Sequence, residues 1–198
     1  MRTAITLHGT SSLNEDPAEA RDYWLTREPA MGMSNSNWIP WLQGELCRRD
    51  ILTQTPEMPY PYRGRINYTE WENTFRQFEI KPDTILIGFS TGAGFLLKYL
   101  SQNPEIRAGR LVLVAPNIDP ENWLGNFMQT NYDNNLLDRM GRIDIVYSTD
   151  DRQFILDSVK RIREIYPTAN IHEFKDKGHF TLSKIGTEFP ELLEIIAQ

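Results

Sequence analysis

Three kinds of side chain in this sequence can cooperate chemically. They are a serine at 90, a pair of aspartates at 150 and 151, and a histidine at 179. Ser90 stands in Gly88-Phe89-Ser90-Thr91-Gly92, where an apolar run, "TILIG", stops reading as a strand and a helical pattern begins. A serine hydroxyl is a weak nucleophile near neutral pH and needs a base, usually a histidine oriented by a carboxylate. Small neighbours allow a strained strand-to-helix turn that lifts the hydroxyl off a sheet, and the helix N-terminus adds unpaired N–H groups beneath a developing oxyanion. The plain alternative is a tight turn with serine as a helix N-cap.

Of the three histidines, His8 ends the first apolar strand and His172 alternates with Ile171 as if on a strand face. His179 lies in the loop "KDKGHF" after the last strand, on the carboxyl-end side shared with Ser90, and is the base the sequence favours. Asp150 and Asp151 end the preceding strand in "YSTDD". One can receive the imidazole Nδ1–H while the other caps the following helix, and spacing does not choose between them. An oxyanion hole takes one backbone N–H from the residue after the nucleophile, Thr91, and a second from the loop "HGTSS". There Gly9 permits a bend, Thr10 supplies the amide and His8 supports the loop.

These residues need a scaffold that brings distant loops to one edge. The β-branched runs 3–7, 51–55, 84–88, 110–114, 143–147 and 170–174 alternate with helical patterns over 16–25, 38–49, 69–78, 91–102, 154–166 and 188–197. "TILIG" and "LVLVA" are nearly continuous apolar stretches, as expected of central strands covered on both faces. The alternation predicts an α/β fold: a doubly wound, mainly parallel sheet of about six strands in one domain over 1–198, with ligands at the carboxyl ends of the strands.

Composition narrows the partners. The chain has 198 residues, net charge -6 and 24% charged residues, without the basic stripe of a nucleic-acid binder. Cys47 is the single cysteine, read as a small buried hydrophobe, so neither an intrachain disulfide nor a CxxC metal motif is expected. No signal-peptide pattern or membrane-length apolar run is evident, and the expectation is a cytoplasmic protein that needs no cofactor or metal.

With Ser90, the aspartate pair and His179 in that chain order, the sequence resembles the α/β-hydrolases, whose nucleophile elbow is GxSxG and whose order is Ser, acid, His. Within them it resembles the small intracellular serine hydrolases typified by retinoblastoma-binding protein nine and the bacterial YdeN proteins. The resemblance rests on "NWIPWLQGEL", "MPYP", "ILIGFSTGAG", "LVLVAP", "YSTDD" and the tail "GHF" with "TEFPELLEII". It implies a reduced α/β-hydrolase sheet without two leading antiparallel strands, metal-free ester hydrolysis with peptidase activity in some members, and Asp151 as the triad acid. Phe89 stands where the family usually has histidine, Arg152 where proline is common, and the segment 11–36 is an insertion read as a lid over the active site.

The reaction expected is acyl transfer to water from a small ester or short peptide. Trp24, Trp123, Phe127 and Phe180 are candidate lining for an apolar pocket, although "NWLGNFM" reads equally well as a helix packed on the sheet. A thioesterase or lactonase would use the same groups. A catalytically silent interaction module on this fold is the alternative from another class.

Overall fold

The computed structural model describes residues 1–10, 32–61 and 65–198. The helix expected over 16–25, the body of the 11–36 insertion and Trp24 lie outside the described residues. The sheet has six strands: β1 (Arg2–Leu7), β2 (Ile51–Gln54), β3 (Ile85–Phe89), β4 (Arg110–Val114), β5 (Ile143–Ser148) and β6 (Asn170–Phe174). All pair in parallel, in the order β2-β1-β3-β4-β5-β6. β3 and β4 are buried along their whole length, which is why both read as continuous apolar runs.

Helices cover both faces. On one side α2 (Tyr68–Phe75), α3 (Thr91–Gln102) and α4 (Gln153–Ile165) bury Trp71, Phe75, Phe95, Val159 and Ile162 against Leu86, Leu111 and Ile145. On the other, α1 (Ile39–Cys47) and α6 (Pro190–Ala197) bury Leu42, Leu46, Leu192 and Ile196 with Ile85, Ile87 and Val112. The alternation 85/86/87 along β3 therefore feeds two separate cores, as the period of two requires. A short α5 (Leu182–Ile185), absent from the sequence reading, precedes α6.

The helix expected over 69–78 ends at Phe75, because Gln77 and Phe78 donate to Thr74 and Phe75 and tighten the last turn into 3₁₀ form. Cys47 is exposed and not buried. Trp38, Leu42 and Leu46 fall on the buried stripe at intervals of four, and Cys47, one residue further, turns about 100° away from it. The segment 125–127 forms a 3₁₀ turn in place of a packed helix.

Register sets where chemistry can occur. Leu7 pairs with Gly88, Phe89 with Val114, Val114 with Val146, and Ser148 with Phe174. The loops after β1, β3, β4, β5 and β6 thus emerge along one edge. β1 lies between β2 and β3, so the chain leaves it to opposite sides, and the crevice of a doubly wound sheet opens at that reversal. Gly9 and Ser90 flank it.

Candidate active site

Ser90 joins β3 to α3 with φ 53° and ψ -117°, a strained conformation for any residue bearing a Cβ. Close packing explains the two glycines around it. A Cβ on Gly88 would lie 2.5 Å from the Ala93 Cα, and one on Gly92 would lie 2.4 Å from the His8 carbonyl oxygen. The elbow is further tied down when the Ser90 amide donates to the Val114 carbonyl at 2.8 Å and the Asn117 amide donates to the Ser90 carbonyl at 3.1 Å. Strain is thus held by β4 and its following loop.

The loop after β1 lies against the serine, since a Cβ on Gly9 would come within 2.9 Å of the Ser90 Cβ. The Thr10 and Thr91 hydroxyls are 3.0 Å apart, which brings together the two residues expected to supply oxyanion donors. Thr91 is the first residue of α3, so its N–H has no intrahelical acceptor by position. His8 is buried and accepts the Met58 amide on Nε2 at 2.8 Å, so its proton sits on Nδ1, which donates to the Gly9 carbonyl at 2.7 Å. His8 supports the loop. Burial pushes its pKa below the ordinary histidine value, against an opposing pull from the nearby Glu57 carboxylate.

His179 arrives from the loop after β6. Its Nε2 is 3.0 Å from Ser90 Oγ and its Nδ1 is 2.8 Å from Asp151 Oδ2. The Asp151 side chain is fully buried, and its Oδ1 also accepts the Arg152 amide at 2.7 Å. Asp150 faces elsewhere. Its Oδ1 accepts the Ser148 hydroxyl at 2.6 Å and the Gly178 amide at 2.8 Å, and its Oδ2 pairs with Lys184 Nζ at 3.2 Å. Two carboxylates that spacing alone leaves equivalent therefore have different partners: Asp151 the imidazole, Asp150 the loop carrying it.

Among the described residues, the expected pocket residues Trp123, Phe127 and Phe180 do not converge. Trp123 is 47% exposed and sits beside Phe154 with ring centroids 5.1 Å apart. Phe127 is buried edge-on to Trp71, and Phe180 is fully buried and stacked on Phe189 at 5.0 Å. Phe127 and Phe180 are core residues in this structure, drawn in by Tyr68 and Trp71 of α2 and by Phe174 and Phe189, respectively. Lys98, not among the expected site residues, is also buried, and its ammonium donates to the Asn126 and Phe127 carbonyls and lies 4.0 Å from the Tyr68 ring centroid. A lysine inside the apolar helix "GFLLKYL" was the available signal. Among the described residues, no group of three or more His, Cys, Asp or Glu side chains is arranged to hold a metal ion, and no helix is long and apolar enough to cross a membrane.

The strand order, elbow and flanking helices define the α/β-hydrolase fold. The fold is similar to that of YdeN from B. subtilis, with TM-score 0.79 and 18% identity over 100% of this chain and 97% of that one. Est1E from Butyrivibrio proteoclasticus is similar at TM-score 0.61 and 14% identity, covering 100% of this chain and 89% of that one. A serine hydrolase without lid from Xanthomonas campestris matches at TM-score 0.54 and 13% identity, covering 92% and 75%. No family model matches the sequence, and no curated protein matches it either.

Proposed function

We propose that the protein is a serine hydrolase that cleaves small carboxylic esters through an acyl-enzyme. The observation that carries this reading is the continuous line from Asp151 through His179 to Ser90, with hydrogen-bond distances of 2.8 and 3.0 Å. Ser90 Oγ attacks the ester carbonyl carbon while His179 Nε2 takes its proton. Asp151 holds the imidazole with Nδ1–H toward the carboxylate and stabilises the imidazolium that forms. The amides of Thr10 and Thr91 receive the oxyanion. Collapse of the tetrahedral species transfers the proton from Nε2 to the departing alkoxide and leaves the acyl group on Ser90. Water, deprotonated by the same imidazole, then attacks the acyl carbonyl and releases the acid.

A neutral ester suits the site better than a phosphorylated one, because no cluster of Arg or Lys flanks Ser90 along the sequence. A cytoplasmic setting accords with the single thiol, Cys47, exposed on α1. Intact mass after incubation with a fluorophosphonate tests the reading, comparing the natural chain with Ser90→Ala. One adduct on the natural chain alone is expected. No adduct on either chain overturns the proposal and favours a binding module on the same fold.

A further inference from the structure

We infer that Asp150 is a positioning residue for the His179 base, acting with Ser148 to hold the loop that presents the imidazole to Ser90. The inference rests on the serine-hydrolase reading. The loop between β6 and α5 is conformationally costly. Asp176, Gly178 and Phe180 all have positive φ, at 61°, 49° and 50°, and two of the three bear side chains that disfavour it. Such a segment keeps one shape only when its surroundings over-determine it.

The restraint comes from the end of β5, the strand that leads into Asp151. The Ser148 hydroxyl accepts the Lys177 amide at 3.2 Å and donates to Asp150 Oδ1 at 2.6 Å. The same carboxylate oxygen accepts the Gly178 amide at 2.8 Å. Two consecutive backbone N–H groups immediately before His179 are therefore fixed by two side chains from the acid turn. The Lys184 stem lies close over Gly178, and its ammonium reaches Asp150 Oδ2. Base and acid are thereby built on one hydrogen-bonded unit, so the Nδ1–Asp151 distance is set by the backbone as well as by the two side chains. These contacts, the Ser148 hydroxyl foremost, also hold the Asp150 carboxyl down at about 2, so it is ionised throughout the neutral range.

The test separates geometry from charge. Asp150→Asn removes the charge but keeps an acceptor for the Gly178 amide and the Ser148 hydroxyl, whereas Asp150→Ala removes both. Fluorophosphonate labelling of Ser90 in Asp150→Ala is expected to slow about 10²-fold, the scale set by small misplacement of a catalytic group. With p-nitrophenyl acetate, kcat should fall by that factor while KM stays unchanged. Asp150→Asn should remain within about 10-fold of the natural chain, one hydrogen bond's worth. Lys184→Met, which removes only a half-exposed ion pair, should be near neutral. Equal losses in the Asn and Ala variants would point to charge and overturn the inference, as would an unimpaired Ala variant.

Proton NMR of the His179 Nδ1–H gives a readout independent of turnover. Its resonance should move or broaden in Asp150→Ala and stay in place in Asp150→Asn. An unmoved resonance in the Ala variant overturns the inference even if the natural chain proves unreactive, which would sink the hydrolase reading separately. Should Asp150→Ala fail to fold, Ser148→Ala breaks the same unit from its other member and is expected to shift the resonance and slow labelling in the same direction.

Discussion

Phe89 packs against His179, with ring centroids 5.2 Å apart and planes tilted by 39°. The residue before the nucleophile thus forms a wall for the base. It also meets Trp38 edge-on at 5.6 Å and is 4% exposed, linking the site to the core beneath α1 and α6. Phe89→Ala should lower the unfolding free energy by about 3–5 kcal/mol, the usual cost of removing a buried phenyl ring. Denaturant unfolding measures this. Fluorophosphonate labelling of the folded fraction should also slow, because the imidazole loses one of its supports. Unchanged stability would mean that the cavity collapses fully and that the wall is dispensable.

Asp151→Asn should leave the fold intact and still remove most activity. The carboxamide fills nearly the same space but can present an N–H to Nδ1, which favours the tautomer that cannot accept the serine proton. A loss in kcat of about 10⁴-fold is expected, the scale known for this substitution in a Ser-His-Asp system. Circular dichroism should match the natural chain. A loss of less than about 10-fold would show that the carboxylate is not needed to orient the base.

The elements were legible where local and global signals agree. Arg110–Val114 and Thr91–Gln102 fall at their expected limits, because an unbroken apolar run between turn residues has one comfortable place in a two-faced sheet. Ser90 was legible for the same reason: a strand, two glycines and a helix leave the backbone little choice. Asp150's attachment to Gly178 was not, since it joins residues 28 apart through a loop shape that no periodicity encodes. The exposure of Cys47 is not legible, because an apolar-looking window says nothing of a residue one step off the buried stripe. Phe180 follows the base His179 in the chain, yet its ring stacks on Phe189 in the core. Aromatic residues beside a site satisfy the core first when a stacked partner is in reach.

His8 and Asp150 should each leave a mark on stability against pH. The folded pKa of His8 lies below its unfolded value, mainly through burial, so the unfolded chain binds the extra proton first. Its contribution is complete above about pH 6.5 and is lost as pH falls through the folded value. Asp150 is likewise depressed, to about 2 in the folded state, so its contribution is complete above about pH 4 and is lost between there and about pH 2. Thermal melts across pH should show a shallower decline below about pH 6.5 in His8→Gln. In Asp150→Asn, only the decline below about pH 4 should flatten. Parallel curves for variant and natural chain in these windows would contradict the assignments.

Stability should also depend on charge at the opposite end of the sheet from Ser90. Asp144, near the start of β5, is fully buried and meets Arg110 Nε at 2.8 Å, Arg142 Nη2 at 2.9 Å and His172 Nε2 at 2.7 Å. The Arg110 side chain has 6% exposure and donates from Nη1 to the Ile196 carbonyl, which fastens the end of α6 to the sheet. With Asp144 removed, the Arg110 guanidinium keeps its burial and loses its counter-charge. Truncating one member of such a pair costs about 3–5 kcal/mol, because the remaining ion is left uncompensated. Asp144→Ala is expected to lose that much in urea unfolding. Its folded fraction should still react with fluorophosphonate at the natural rate, since the cluster lies at the amino ends of β4 and β5, away from the elbow. A milder loss for the double variant Asp144→Leu/Arg110→Met than for Asp144→Ala would show that the penalty lies in the unpaired charge. An equal or larger loss would assign it to packing.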